Sequence, residues 1–218
     1  MKGVVFDLDE TLVDRRTSLD AYARRLYDEF RASIALEEAD FVVRFHELDG
    51  FGRIPRERFF DTLSAAAFAD VSSAQIAEHF AVHAWRSPRL FDGVPALLQE
   101  LRVSGWRIGI VTNGGVPSQS AKIDNSGLSE WIDHVVISAA FGAKKPDPAI
   151  FRHMIDRLGI DPAQSWFVGD DPRADIHGAR QVGFRTIWVE RHSTWPDDLQ
   201  RCYDARVTQT HRAREYIR

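Results

Sequence analysis

The sequence predicts an α/β fold, in which a Rossmann-like parallel sheet core carries a small inserted α-helical domain. Short runs of β-branched and aromatic residues recur between stretches of helical spacing, and these runs are mostly apolar rather than alternating with polar residues. One long stretch contains no strand-like run. Continuous apolar runs are typical of strands covered on both faces, and strand–helix alternation favours parallel strands joined by right-handed crossovers.

The predicted elements of the core follow in chain order. Strands are predicted at 4–6, 107–111, 134–137, 166–168 and 186–189. Helices are predicted at about 94–104, 117–126, 147–158 and 172–182. The Arg-rich tail from 206 to 218 predicts a solvated terminal helix.

The stretch 16–90 interrupts this alternation after the first strand. Leu19, Tyr22 and Leu26 recur at helical spacing, as do Phe59 and Leu63 further along. We therefore predict two domains. The α/β core comprises 1–15 and 91–218, and the helical domain comprises 16–90.

Composition limits the classes of function. The chain has 218 residues, 44% of them hydrophobic, which is enough to bury a sizeable core. Its formal net charge of -4 gives no basic field for nucleic acid. No apolar stretch approaches the roughly 20 residues that span a bilayer. Cys202 is the single cysteine, which excludes an intramolecular disulfide and a Cys-rich zinc site. We expect a cytoplasmic protein, monomer or homodimer, that binds neither membrane nor nucleic acid.

Two acidic residues follow the first predicted strand. Asp7 and Asp9 lie so close in sequence that their carboxylates repel each other unless a proton or a cation joins them. A hard divalent ion with oxygen ligands would relieve that repulsion. An acidic strand-to-loop turn is the alternative, and this segment alone leaves both interpretations open.

Three further polar clusters follow or lie between later strands, where the carboxyl ends of parallel strands form a ligand crevice. They are Thr112-Asn113-Gly114-Gly115, Lys144-Lys145-Pro146-Asp147-Pro148 and Gly169-Asp170-Asp171-Pro172-Arg173-Ala174-Asp175. A Gly-rich turn before a helix can bind phosphate, and an anionic partner would explain a lysine ahead of a helix start. Each cluster taken alone has another interpretation. The first could be an ordinary loop, the second a solvated lysine pair, and the third could contain a helix-capping aspartate.

Together the four clusters resemble the signature motifs of the haloacid dehalogenase-like (HAD-like) superfamily. The motifs are Asp-x-Asp-x-Thr at 7–11, Thr-Asn-Gly at 112–114, Lys-Pro-Asp-Pro at 145–148 and Gly-Asp-Asp at 169–171 with Asp175 following. Their order and their placement after predicted strands make the resemblance specific. It covers 1–15 and 91–218 and implies a HAD-like fold, and 16–90 matches the helical cap domain of that superfamily in position.

The resemblance implies a magnesium-dependent phosphatase that hydrolyses a small phosphorylated metabolite through an aspartyl-phosphate. Asp7 would be the nucleophile, Asp9 the general acid and base, and Lys145 the charge that offsets the phosphate. The implied phosphate-binding residues are Thr112, Asn113, Gly114 and Lys145. The implied Mg²⁺ ligands are the side chains of Asp7 and Asp170 and the backbone carbonyl of Asp9, with Asp171 and Asp175 in support.

Three other functions remain alternatives. A 2-haloacid dehalogenase needs a carboxylate nucleophile but no metal, and Asp9 and Thr11 argue against it. A sugar phosphomutase uses the same motifs, with a sugar hydroxyl in place of water. A non-catalytic binding protein on this fold is the third alternative, although no motif residue is missing.

Arginines near the glycine-containing loop of the helical domain are candidates for substrate selection. Arg53 and Arg56 flank Pro55, and guanidinium groups bind carboxylate or phosphate through two parallel hydrogen bonds. We expect them to meet a second anionic group of the substrate. A solvated helix start is the alternative interpretation.

Overall fold

The main sheet has six parallel strands in the order β5-β4-β1-β6-β7-β8. A separate two-stranded antiparallel ribbon pairs β2 with β3. The computed structural model describes residues 1–218. The strands are β1 Gly3–Phe6, β2 Val13–Asp14, β3 Arg89–Leu90, β4 Arg107–Thr112, β5 His134–Ile137, β6 Trp166–Gly169, β7 Arg185–Val189 and β8 Ala205–Val207. The predicted parallel α/β fold is thereby confirmed.

The chain divides into two compact units, Met1–Asp14 with Arg89–Arg218 and, separately, Arg15–Pro88. Helices of the first unit are α5 Val94–Val103, α6 Val116–Asn125, α7 Ser138–Phe141, α8 Pro148–Leu158 and α9 Gly178–Arg180. Helices of the second unit are α1 Arg15–Glu29, α2 Glu38–Asp49, α3 Arg56–Ala67 and α4 Ser73–His83.

Both faces of the central sheet are buried, which explains why the strands read as continuous apolar runs. Along β1, Val4 and Phe6 belong to one hydrophobic cluster with α5, and Val5 belongs to a second cluster with α8. The same alternation occurs along β6, where Trp166 and Val168 face the first cluster and Phe167 the second. Successive side chains of a strand point to opposite faces, so β1 and β6 each contribute to both clusters.

The second unit is a helical bundle with an aromatic core. Phe45, Phe59 and Phe80 are buried and pack with edge-on rings. Its last helix, α4, begins with a reciprocal cap in which Ser72 accepts from the N–H of Gln75 and Gln75 accepts from the N–H of Ser72. Such a cap supplies partners for backbone groups that the first helical turn leaves unpaired.

The carboxyl-terminal tail differs from the predicted solvated helix. It forms strand β8 and then a 3₁₀ helix, Thr210–Glu215, in which Thr210 and Ala213 are buried. The hydroxyl of Thr210 donates to the carbonyl of Thr11 at 2.5 Å, and Arg191 Nε donates to the carbonyl of Glu10 at 2.7 Å. The prediction was wrong because exposed arginines in the tail obscured a short apolar pattern on its other face.

None of the helices combines the length and the apolar character that crossing a bilayer requires.

Candidate active site

The candidate active site lies where β1, β4 and β6 end, because these three strands are neighbours in the sheet and run parallel. Asp7 directly follows β1, Thr112 ends β4, and Asp170 directly follows β6. The sheet therefore brings together residues that are far apart in sequence, as the position of the motifs predicted.

Asp7 is a buried carboxylate held by the sheet and by one lysine. Its N–H donates to the carbonyl of Val168 at 2.9 Å, which continues the β1–β6 pairing. Its Oδ1 accepts a hydrogen bond from Lys145 Nζ at 2.5 Å. Burial raises the pKa of Asp7 to about 7, although the charge of Lys145 opposes this shift. The loss of hydration on burial thus affects the pKa of Asp7 more than the charge of Lys145 does.

Lys145 is a buried cation between two carboxylates. Its Nζ lies 2.5 Å from Asp7 Oδ1 and 2.6 Å from Asp175 Oδ1, and its side chain is 2% exposed. Burial by itself would lower the pKa of Lys145, but the charges of Asp175 and Asp7 outweigh it and hold the pKa above its usual value. Lys145 is therefore charged at any physiological pH. Asp175 is thus placed where it can orient Lys145.

The loop after β6 and the helical segment that follows it, Pro172–His177, supply three carboxylates in different surroundings. Asp170 is largely buried; this burial raises the pKa of Asp170 well above its usual value, and the charges of Asp175 and Asp7 raise it further. The backbone carbonyl of Asp170 is fixed by hydrogen bonds from Trp188 Nε1 at 3.0 Å and Ser193 Oγ at 2.8 Å. Asp171 instead caps the following helical segment.

The cap at Asp171 uses one carboxylate oxygen. Its Oδ1 accepts from the N–H groups of Arg173 at 2.8 Å and Ala174 at 2.9 Å. Its own N–H donates to Asp175 Oδ2 at 3.0 Å. Asp171 therefore supports Asp175 through its backbone N–H. The helix-capping interpretation of the sequence applies to Asp171.

Gly169→Ala is expected to destabilise the fold by about 1–3 kcal/mol through overpacking. A Cβ at this position would lie 2.4 Å from Asp175 Oδ2, so the carboxylate that orients Lys145 must move. Gly115→Ala is the matched control, since no atom lies within 4 Å of its added Cβ, and a change within about 0.5 kcal/mol is expected there. Urea denaturation measures both values. Equal free energies of unfolding in the two variants would contradict the close approach of a Cβ at position 169 to Asp175.

The turn after β4 places the predicted phosphate-binding residues. Thr112 is buried, and its Oγ1 accepts from Gln119 Nε2 at 2.5 Å. Asn113 exchanges two hydrogen bonds with the main chain of Lys145, with Nδ2 donating to the carbonyl at 3.0 Å and Oδ1 accepting from the N–H at 2.8 Å. The N–H of Gly114 donates to Ser138 Oγ at 3.0 Å. Asn113 therefore fixes the main chain at Lys145.

Two residues of this region were not predicted from the sequence. Gln119 and Lys122 project from α6, and each is 2% exposed. Lys122 Nζ donates to both carboxylate oxygens of Asp9, at 2.7 and 2.6 Å. The available signal was their position on the same helical face as Ile123, which is buried.

A divalent cation fits the acidic part of the site. Asp7, Asp170 and Asp175 each offer an oxygen within 4.8 Å of the others. Burial raises the pKa of all three, which means that their charges are not fully balanced by Lys145. A set of carboxylate oxygens is typical of sites for hard ions such as Mg²⁺. Both oxygens of Asp175 already have partners, Oδ1 in the ion pair with Lys145 and Oδ2 in the hydrogen bond from the N–H of Asp171. Asp7 and Asp170 are therefore the better placed side-chain ligands.

The predicted arginines of the helical unit have different surroundings. Arg56 donates to the buried Asp49 at 2.9 Å, and Asp49 is also bound by both terminal nitrogens of Arg15 at 2.8 Å. Arg53 is exposed. Arg56 thus has a structural partner in Asp49, whereas the role of either arginine in substrate selection stays a prediction.

Comparison with known proteins gives consistent results. The sequence profile of the haloacid dehalogenase-like hydrolases matches residues 1–183. A phosphoserine phosphatase from Thermus thermophilus is 36% identical over 153 residues, which is 70% of this chain and 61% of that enzyme, less than two thirds of its length. A glyceraldehyde 3-phosphate phosphatase from Pyrococcus abyssi is 34% identical over 198 residues, 87% of this chain and 82% of that enzyme.

A solved structure extends the likeness to the whole chain. The HAD phosphatase from Thermococcus onnurineus has a TM-score of 0.69 and 26% sequence identity, covering 100% of this chain and 98% of that one. The profile match includes the segments of Asp7, Thr112, Lys145 and Asp175. The resemblance predicted from the motifs is confirmed, and the chain belongs to the haloacid dehalogenase-like hydrolases.

Proposed function

We propose that this chain is a magnesium-dependent phosphatase that hydrolyses a small phosphate monoester through an aspartyl-phosphate on Asp7. One observation carries the proposal: Asp7 is a buried carboxylate bonded to Lys145 at 2.5 Å, and a second carboxylate, Asp9, follows on the same loop with a 24% exposed side chain. The relatives named as phosphoserine and glyceraldehyde 3-phosphate phosphatases support a phosphate monoester as the substrate.

The proposed reaction has two steps. Asp7 attacks phosphorus and forms the aspartyl-phosphate, while Asp9 gives a proton to the leaving oxygen. Asp9 then accepts a proton from water, which attacks the phosphorus and releases inorganic phosphate and free Asp7. Lys145 holds the Asp7 carboxylate and adds positive charge next to the phosphoryl group, and Thr112 offers its hydroxyl to a phosphoryl oxygen.

In this proposal Asp7 and Asp170 hold Mg²⁺ with the backbone carbonyl of Asp9. The ion, when bound, offsets the negative charge shared by the phosphoryl group and its carboxylate neighbours. Asp175 supports the site by its ion pair with Lys145 at 2.6 Å. The proposal also retains 16–90 as a cap domain, with Arg53 and Arg56 selecting substrates that carry a second anionic group.

Magnesium is expected to raise the thermal midpoint more at about pH 8 than at about pH 5. Burial raises the pKa of Asp7 from 3.8 to about 7, so the metal-free fold loses stability as the pH rises through that window. Above it the carboxylate is ionised and binds the cation, which restores stability. Asp170→Asn should remove most of the magnesium effect. An equal shift at both pH values, or none, would contradict this ligand set.

A phosphate-release screen tests the function itself. The chain is incubated with magnesium and a panel of phosphorylated hydroxy acids, sugars, amino acids and nucleosides, and inorganic phosphate is measured. We expect release from at least one small monoester and loss of release when a chelator removes the metal. Absence of release across the whole panel would overturn the proposal.

A further inference from the structure

Lys122 and Gln119 form a buried polar network that the proposed reaction does not use. They lie one turn apart on α6, and their side chains contact each other, with Lys122 Nζ donating to Gln119 Oε1 at 2.6 Å. Gln119 Nε2 contacts Thr112 Oγ1 at 2.5 Å and Asp9 Oδ2 at 3.2 Å. The network therefore joins the proposed acid–base carboxylate to the proposed phosphate-binding hydroxyl.

The exposure of the two charged partners is unequal. The side chain of Lys122 is 3% exposed, whereas that of Asp9 is 24% exposed. A buried ion pair adds little net stability, because both charges lose water, and an apolar side chain of similar size would pack as well. The arrangement thus places a fixed cation in the interior, with its hydrogen-bond donors directed at an accessible carboxylate. Each of the two acids of the first loop has its own lysine, Lys145 for Asp7 and Lys122 for Asp9.

The hydrogen bonds of this network have a defined direction. A lysine ammonium only donates, so the Gln119 atom that faces Lys122 must be the carbonyl oxygen. The amide nitrogen then faces Thr112 and Asp9, and it can only donate to them. Since Thr112 Oγ1 accepts from Gln119, its hydroxyl hydrogen is left to donate to a different partner. A phosphoryl oxygen, which only accepts, is such a partner.

We propose that Lys122 and Gln119 are positioning residues: Lys122 holds the Asp9 carboxylate in one orientation, and Gln119 sets the Thr112 hydroxyl as a donor to the phosphoryl group. This inference rests on the proposed function. Lys122 is too deeply buried to touch a substrate, so it acts through Asp9 and Gln119. Lys122 thus positions the proton-transfer group, Asp9, and Gln119 orients the phosphate-binding group, Thr112.

A double-mutant cycle with p-nitrophenyl phosphate tests the role of Lys122. Its leaving group departs without a proton, so Asp9 matters only when water attacks the aspartyl-phosphate. Asp9→Asn should lower kcat by about a hundredfold. Lys122→Met should lower kcat by about tenfold or more, while its kcat/KM should stay within about threefold of the wild-type value. The double variant should equal Asp9→Asn, because Lys122 has no carboxylate left to position.

Two further variants complete the design. Gln119→Leu leaves the Lys122–Asp9 ion pair in place and is expected to raise KM and the inhibition constant of inorganic phosphate, with kcat changed by less than about threefold. Lys144→Met removes an exposed lysine next to Lys145 and is the control for loss of a lysine. Thermal denaturation of each variant separates folding from turnover, and Gln119→Leu decides the proposal if Lys122→Met does not fold.

The outcomes separate this proposal from the function on which it rests. If the loss of kcat in Lys122→Met adds to that in Asp9→Asn, Lys122 does not act through Asp9 and its proposed role is overturned. The same holds if kcat/KM falls in Lys122→Met as much as kcat does. An unchanged phosphate affinity in Gln119→Leu would overturn the role of Gln119. A wild-type chain that cleaves no phosphate ester would overturn the function and both roles with it.

Discussion

Asp7→Asn is expected to lower the turnover of every phosphate monoester substrate by about a thousandfold or more and to abolish the phosphoryl-enzyme. The amide matches the carboxylate in size but lacks the charged oxygen that attacks phosphorus. The fold should persist, because Lys145 keeps its ion pair with Asp175 at 2.6 Å. Stability at neutral pH should be equal or higher, since the substitution removes a buried carboxyl whose pKa is raised to about 7.

Two measurements check this result. Phosphate release gives turnover, and mass spectrometry after an acid quench shows whether a phosphoryl group is attached to the protein. Asp156→Asn is the matched control, because its carboxylate is exposed on α8 away from the strand ends. A phosphoryl adduct that persists in Asp7→Asn would place the nucleophile elsewhere, and turnover close to wild type would exclude covalent catalysis by Asp7.

Lys145→Met is expected to lower turnover and also to destabilise the fold by about 3–5 kcal/mol at about pH 8. It leaves Asp7 and Asp175 buried without the cation that lies 2.5 and 2.6 Å from them. At about pH 5 the loss should be smaller, because unpaired buried carboxyls then take up protons and become neutral. The turnover should fall by about a hundredfold or more, since the positive charge next to the phosphoryl group is gone.

Chemical denaturation at the two pH values measures the stability change. Lys144→Met removes the adjacent, exposed lysine and should leave the unfolding free energy within about 0.5 kcal/mol of wild type. The same loss at both pH values would indicate that packing, rather than the unpaired acids, causes the destabilisation. A Lys145→Met variant as stable as wild type would show that the ion pairs contribute no net stability.

Much of the core could be predicted from the sequence because its signals are local. The strand that ends at Phe6 reads as an uninterrupted apolar run, and both faces of that strand are indeed buried. Asp7, Thr112 and Asp170 lie at strand ends, so a parallel sheet was enough to predict that they converge. Lys145 lies beyond α7, and its place beside Asp7 was implied only by the resemblance to the superfamily. The regular alternation of strands and helices specified the sheet, but the order of its strands depends on crossovers that no short segment encodes.

The residues that were missed depend on tertiary contacts. Lys122 reads as a solvated lysine in an isolated helix, and only the packing of α6 places it 2.6 Å from Asp9. Gln119 shows the same limitation, since its role requires Thr112 as a neighbour. In the tail, three-residue strand β8 is shorter than the segments in which a period-two pattern can be distinguished from chance.

The hydrogen bonds that complete the surroundings of Asp7 and the loop after β1 join residues that are far apart in the sequence. The bond from Thr210 to Thr11 spans 199 residues, that from Arg191 to Glu10 spans 181, and that from Lys145 to Asp7 spans 138. Asp7 therefore precedes by more than a hundred positions the residues that complete its surroundings. Contacts of such separation form late, because long loops must close first. During synthesis, the loop after β1 is therefore exposed without Lys145, Arg191 and Thr210 until those residues have been added and have folded onto it.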